Sequence, residues 1–375
     1  MALNNISKVG LVSNQNFLVK YLSLEQPIDK TLVTYVYQHP AHLDTSNGKY
    51  KPQMCAKTRV LDFIPTDANQ LPDWNSGCLD SLEKEIYLKP VRLYRDPFKG
   101  GNNKLVLCET YTDEMEPHVI NHRYSCNKAM ELARDHKPWF GFEQEYLLLD
   151  ANDNQPLGWP KGGFPKPITD KEVLYYDGVG ANRVYGRDVY EAHIRACIYA
   201  GVMITGQNPE AVPSQWEYQI GPCEGIRIGD DVMMSRYILF RVAEDLYIGV
   251  TLDPKPVPGW LGSGGHMNFS TVGMRGKGGI QEIEEAMIKL SKRHEHHIKV
   301  YDPHEGRDND RRLGGLYASK SNEFTYGVGN RTASVRIPKL VARNGCGFFE
   351  DRRPAANCDP YQVSEALVRT CCLNE

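Results

Sequence analysis

Two segments of the chain carry acidic or amide side chains at every second position: Gly141-Phe142-Glu143-Gln144-Glu145-Tyr146 and Gln215-Trp216-Glu217-Tyr218-Gln219-Ile220. Successive side chains of a β-strand point to opposite faces, so Glu143 and Glu145 share one face while Phe142, Gln144 and Tyr146 share the other. Gln215, Glu217 and Gln219 separate in the same way from Trp216, Tyr218 and Ile220. Such strands need a core under the aromatic face and a polar setting over the acidic one. For a single strand, solvent supplies that setting. Two acidic strands brought together are different, because neighbouring carboxylates repel unless a cation or a proton compensates them. The pattern therefore predicts a sheet packed on one side and lining a polar pocket on the other.

Further residues fit the same pocket. In His266-Met267-Asn268-Phe269-Ser270 the polar residues His266, Asn268 and Ser270 share a face. The preceding Gly262-Ser263-Gly264-Gly265 lets a ligand come close to the backbone. Glu224 follows a Gly-Pro pair and is expected to fold back beside Glu217; Glu350 stands in FFEDRRP. Glu143, Glu145, Glu217, Glu224, His266 and Glu350 together would form an oxygen-rich site suited to Mg or Mn.

The C-terminal third adds Arg311, Arg312, Arg331, Arg336, Arg352 and Arg353. The planar fork of arginine binds two oxygens of a carboxylate or phosphate at once. Metal-holding carboxylates beside arginines match the needs of phosphoryl transfer from ATP. The sequence has no GxxxxGK[ST] phosphate loop and no GxSxG nucleophile elbow. His294-Glu295-His296-His297 invites a zinc reading, but it lies among Lys292, Arg293 and Lys299 without cysteine partners. It reads as a solvated basic helix end.

Bulk properties exclude other classes. A net charge of -3 and a pI near 6.4 give no footing for nucleic acid or an anionic membrane as partner. No apolar run approaches the roughly 18 residues of a membrane span. The first residues lack the apolar core of a signal peptide, and the ten cysteines show no Cys-x-x-Cys pair. They read as reduced, mostly buried thiols of a cytoplasmic protein.

The chain divides into an arm over 1–28, a small β-rich unit over 29–115 and a larger unit over 116–375. Strands are expected within Leu32–Ile64 and in NKLVLCETYT, and a helix over Arg123–Asp135. GRDVYEAHIRACIYAG reads as a helix stopped by Gly201. DDVMMSRYILFRVAEDLY and GIQEIEEAMIKLSKRHEHHIKVY read as two more, the latter with Ile283, Met287, Leu290 and Ile298 close to one face. The long Gly- and Pro-rich loops 151–180 and 254–265 are of the kind that builds sites. The fold class is α+β.

WFGFEQEY, GWPKGGFP, GVGANRVYGRD, QWEYQIGPCEG, DPKP, GGHMNFS, NRTASVRIP and FEDRRPAANCDP closely resemble the glutamine synthetase family of eukaryotic type. The likeness runs from about Leu32 to the C-terminus and is strongest from Trp139 onward. It implies a small N-terminal β-grasp-like domain and a large catalytic domain whose antiparallel sheet forms half a barrel. It implies two stacked pentameric rings, with sites between one subunit's N-terminal domain and its neighbour's catalytic domain. The implied reaction condenses glutamate with ammonia at the expense of ATP, through γ-glutamyl phosphate. Carried over residue by residue, Glu145, Glu217 and Glu224 fall on one metal site and Glu143, His266 and Glu350 on the other. Arg312 falls on a glutamate-carboxylate binder, Arg331 and Arg336 on arginines facing phosphate and nucleotide, and Arg353 on the motif that touches substrate and phosphate. Asn268 and Ser270 fall near the nucleotide, and Gly262 in the glutamate-binding loop.

The chain departs from this pattern on the amine side. The family motif RRLTGxHE ends on a glutamate that helps take a proton from ammonium; here Arg311-Arg312-Leu313-Gly314-Gly315-Leu316-Tyr317-Ala318 puts Ala318 there, with Glu323 five residues later. The family's WNFDGSSTGQ loop is shortened after Trp74-Asn75, leaving Asp80 as the nearest aspartate. Leu261 replaces a glutamate-binding asparagine. Three activities are compatible with this pattern: a glutamine-forming ligase with altered ammonium handling, a paralogue with little or no ligase activity kept for a structural or regulatory role, and a ligase for a bulkier amine.

Overall fold

The structure is a computed structural model that describes residues 21, 23–44, 49–77, 85–162, 175–315 and 318–375. Of the arm expected over 1–28, residues 1–20 and 22 lie outside the described residues, as does Asp80.

The first sheet is built from β1 (Thr31–Asp44), β2 (Lys49–Leu61), β3 (Trp74–Gly77), β4 (Glu85–Arg95) and β5 (Lys104–Tyr111) in the order β2-β1-β5-β4-β3. β1 and β5 run parallel and the other neighbours antiparallel. Val33, Tyr35, Ile86, Leu88 and Val106 form its own buried core.

Helix α1 (His122–Leu132) follows. The second sheet comprises β6 (Trp139–Asp150), β7 (Ile204–Pro209), β8 (Gln215–Glu224), β9 (Ile248–Thr251), β10 (Gly265–Ser270), β11 (Tyr326–Val328), β12 (Val335–Ile337) and β13 (Phe349–Asp351). Its order is β11-β12-β13-β10-β6-β8-β7, with β9 on the end of β6. All pairings are antiparallel except β11 with β12.

The alternation read from sequence is the one the sheet uses. Phe140, Phe142, Trp216, Tyr218, Ile220, Met267, Phe269 and Phe349 point into one buried cluster. Burying each such side chain stabilises the fold by roughly 1.5–3 kcal/mol. Helices α2 (Arg187–Ala200), α3 (Arg227–Asp245) and α4 (Pro360–Val368) cover this face, adding Val189, Cys197, Val232, Ile238, Val363 and Leu367. Helix α2 stops at Gly201 with φ 93, as expected from its glycine. Gln144 is polar but points the same way, and is fully buried. Its amide donates to the carbonyls of Glu145 and Ala356 and accepts from Arg236 Nε at 2.7 Å, so its polar atoms are paired. The other face of the second sheet is left to the carboxylates.

Candidate metal and phosphate site

Strand register assembles the site. Glu145 lies opposite Glu217 across β6 and β8, and Glu143 lies opposite His266 across β6 and β10. Asn268 lies opposite Glu350, which lies opposite Arg336. Ligand atoms of Glu143, Glu217 and His266 come within 4.8 Å of one another, and so do those of Glu145, Glu210 and Glu217. Glu217 belongs to both groups. Glu350 Oε1 is 3.6 Å from His266 Nδ1 and Glu143 Oε2 is 3.5 Å from it.

Glu210 was not among the residues expected here. It sits in the turn between β7 and β8, where Asn208 Nδ2 and the Ala211 amide each donate to it at 3.2 Å. No alternation marks it in the sequence, because the turn rather than a strand aims it.

The electrostatics call for a cation. Burial, with the neighbouring carboxylates, pushes the Glu210 carboxyl up to about 8 and Glu217 well above its ordinary range. Burial carries Glu145 up to about 7 against the pull of the Gly264 amide and Arg312. Burial, then Arg352, holds His266 well below its usual value, so its imidazole is neutral, the form that ligates metals. The buried Nδ1 of His266 has no hydrogen-bond partner. Clustered carboxylates with an orphaned imidazole nitrogen fit a hard divalent ion.

Three corrections follow for the expected residues. Glu224 does not fold back. β8 runs on through Gly221 and Pro222, and Glu224 ends opposite Trp139, exposed, accepting from Trp139 Nε1 at 2.9 Å. Arg353 does not face the site: it is fully buried, donating from Nε and Nη2 to Asp351 at 2.9 and 2.7 Å. Its neighbour Arg352 takes the place at the site, with Nη1 2.7 Å from Glu350 Oε1. The His294–His297 helix end is not solvated. His294 and His297 are buried, and each of their ring nitrogens has a hydrogen-bond partner. The zinc reading stays unsupported.

The remaining expected residues lie around the cluster. Arg336 Nε pairs with Glu350. Arg312 is buried beside Glu145; its Nη2 donates to the carbonyls of Arg352 and Arg353 at 3.1 and 2.6 Å. A Cβ on Gly262 would run into the Pro254 carbonyl and the Arg312 side chain, so glycine is what lets Arg312 lie along this loop. Gly264 donates to Glu145 Oε2 at 2.9 Å. Asn268 Nδ2 donates to Glu143 Oε1 at 2.9 Å. Arg331 is exposed, and its carbonyl accepts from Arg352 Nε at 3.2 Å.

Ser270 lies farther along the sheet, opposite Trp139, and accepts from Arg275 Nη1 at 2.9 Å. The Arg275 guanidinium stacks 4.0 Å from the Trp139 ring, which is 39% exposed and so leaves a flat aromatic surface at this end. On the amine side, Leu261 packs with Trp159, Val257 and Trp260. Ala318 contributes no carboxylate, and Glu323 is exposed with its carboxylate 3.6 Å from Lys320.

Residues 121–299 match the family described as "Glutamine synthetase, catalytic domain". The chain is 53% identical to the glutamine synthetase of Panulirus argus over 370 residues, covering 97% of this chain and 99% of that one. It is 50% identical to glutamine synthetase 2 cytoplasmic of Drosophila melanogaster, covering 96% of each. The fold matches a cryo-EM structure of Plasmodium falciparum glutamine synthetase with a TM-score of 0.68 at 14% identity, over 95% of this chain and 74% of that one. With half of its residues shared along nearly its whole length and its acidic strands paired in register, the chain belongs to the glutamine synthetase family.

Proposed function

We propose that the chain is an ATP- and divalent-metal-dependent ligase that joins glutamate to ammonia. One observation carries the reading: six ligand side chains converge on one sheet face, ringed by Arg312, Arg336 and Arg352. Glu145, Glu210 and Glu217 would hold one ion, and Glu143, His266 and Glu350 the other, as Mg or Mn. Bound there, the ions would neutralise charge on the phosphates of ATP.

The chain's own groups do the rest. Arg312 holds the α-carboxylate of glutamate against the glycine-rich loop. Arg352, Arg336 and Arg331 face the γ-phosphate as it passes to the side-chain carboxylate of glutamate, releasing ADP. Ammonia then attacks the acyl carbon, phosphate leaves with the C–O electron pair, and the surplus proton on nitrogen passes to the departing phosphate. Asn268 and Ser270 border the nucleotide, whose base stacks on the surface made by Trp139 and Arg275. The aromatic faces and the guanidinium there suit a purine.

We assign 29–115 and 116–375 to an N-terminal and a catalytic domain, and the assembly to two pentameric rings. A cytoplasmic location agrees with the Drosophila relative's name. Among the described residues no helix is long and apolar enough to cross a membrane.

A second reading, a metal- and ATP-binding paralogue without ligase activity, draws on Ala318 and on the pairing of Glu323 with Lys320. A coupled assay with ATP, Mg or Mn, glutamate and ammonium separates the two. Phosphate release that depends on both glutamate and ammonium is expected. Background release from protein that still binds ATP with metal would overturn the ligase and leave the paralogue. Ala318→Glu restores a proton acceptor and is expected to raise the rate, within the ~10²–10⁴-fold that such a group contributes.

A further inference from the structure

We infer that His294 is a positioning residue for this site: with Arg353 it ties the segment Ser319–Phe324 to the strand that carries Glu350. The inference rests on the function proposed above for its kinetic consequence only.

Arg353 is a hub. Its guanidinium grips Asp351, the residue after Glu350, and its carbonyl accepts from Arg312 Nη2 at 2.6 Å. Tyr301 donates to the same Asp351 at 2.7 Å, and His297 braces Tyr301 and Thr370. The Nη1 of Arg353 points at His294 Nδ1, 3.1 Å away. A guanidinium only donates, so Nδ1 must accept, and the imidazole proton must sit on Nε2. That nitrogen is 2.9 Å from the Ser321 carbonyl, which takes the proton as a hydrogen bond. Burial and Arg353 both lower the pKa of His294, in keeping with a neutral ring.

The segment tied in this way lies beside Arg312. Ser321 Oγ donates to Asp310 Oδ1 at 2.7 Å, on the short helix Arg307–Arg312, and the Gly314 amide donates to the Ser319 carbonyl at 2.7 Å. The Phe324 ring lies 5.2 Å from the Arg353 guanidinium and 5.8 Å from the His294 ring. One imidazole therefore links the residues following Arg312 to the pair that holds the base of β13. His294 is 7% exposed, and none of its contacts is a metal-ligating side chain or Arg312, so any effect on reaction passes through its partners.

Two substitutions divide its bonds. Glutamine reaches the Nε2 position and keeps a donor for the Ser321 carbonyl. Asparagine reaches only the Nδ1 position and keeps an acceptor for Arg353. Hydrogen exchange on the metal-loaded full chain is the first readout. His294→Asn is expected to speed exchange in residues 319–324 about threefold to tenfold, the weight of one net hydrogen bond. His294→Gln is expected to hold wild-type exchange there. In the kinetic arm, His294→Asn is expected to raise the KM for glutamate severalfold, leave the KM for ATP unchanged, and be rescued by Gln. Equal exchange in wild type and the asparagine variant, or a fall in Tm with neither other change, would overturn the assignment. If asparagine fails to fold, faster exchange in the glutamine variant would equally overturn it. Should wild-type protein form no glutamine, the ligase reading fails and the exchange arm still decides this one.

Discussion

Glu210 and Glu224 stand seven residues before and after Glu217, and of the two the first joins the cluster of Glu145 and Glu217. An extended strand advances about 3.3 Å per residue, so Glu224, still in β8, is carried far down the sheet. Glu210 comes back because the chain turns between it and β8: its amide donates to the Gln215 carbonyl at 2.9 Å, and Ser214 adopts φ 65. Alternation made Glu143, Glu145, Glu217 and His266 legible in the sequence; a residue aimed by a turn leaves no such pattern. The same limit explains Arg352 and Arg353, where adjacent arginines point oppositely and only burial tells them apart. Glu210→Gln removes a ligand and is expected to weaken Mn²⁺ binding by at least the ~10–100-fold typical of losing even an outer-shell partner. Glu224→Gln is expected to leave it unchanged. Titration calorimetry with Mn²⁺ and no nucleotide reads both; equal losses would return Glu224 to the site.

Elements with a strong period are legible in the sequence, and their ends less so. The segment from Gly279 to Tyr301 reads as one helix, yet the structure breaks it at Arg293, with φ -108 and ψ 12, into Ile280–Lys292 and His294–Val300. His294 and His297 continue the buried spacing of Ile283, Met287 and Leu290, so the period carries their inward face, while the break itself leaves no mark in it. Helix α2 also buries an imidazole, on the face that carries Val189, Cys197 and Ala200. His193 is fully buried, with Nε2 3.0 Å from the Ser235 carbonyl and 3.2 Å from Cys197 Sγ. Burial lowers its pKa to about 4, although the Ser235 bond opposes this. In the unfolded chain the same ring titrates near its ordinary value of about 6.5. Between these values the unfolded state binds the extra proton, so stability present above about 6.5 is lost as pH falls towards 4. The slope from one such group is at most about 1.4 kcal/mol per pH unit. Urea unfolding at fixed protein concentration across this window should show a shallower slope for His193→Gln than for wild type. Parallel slopes would mean that His193 is protonated in the fold.

At the scale of the whole molecule, Val36, Tyr94, Leu105 and Leu107 of the first sheet pack into the core of the second, and buried charge reinforces that contact. Arg123 on α1 forms a fork on Asp230 of α3 at 2.8 and 3.1 Å and reaches Glu109 of β5 at 2.8 Å. Tyr361 of α4 donates to Asp230 at 2.8 Å, and Tyr94 of β4 donates to Asp231 at 2.9 Å. Asp230 and Asp231 are 1% and 0% exposed, so their charges depend on these partners rather than on water. The fold class was open to inference from strand and helix periods because those are local. This junction was not, because Asp230 and Asp231 lie more than a hundred residues from Arg123, Tyr94 and Tyr361, and nothing local marks the two aspartates as buried. Breaking a buried pair by removing one partner typically costs about 3–5 kcal/mol, since the remaining charge stays desolvated. Arg123→Met is therefore expected to destabilise the protein by roughly that amount in urea unfolding. The control is Arg241→Ala, whose partners Glu244 and Asp245 are mostly exposed, and which should cost no more than about 1 kcal/mol. If the charged junction adds to the apolar packing between the sheets, Arg123→Met should also raise hydrogen exchange in β4 and β5 before that in β6 and β8. A uniform rise across both sheets, or a loss as small as the control's, would show that the sheets are held together by apolar packing alone.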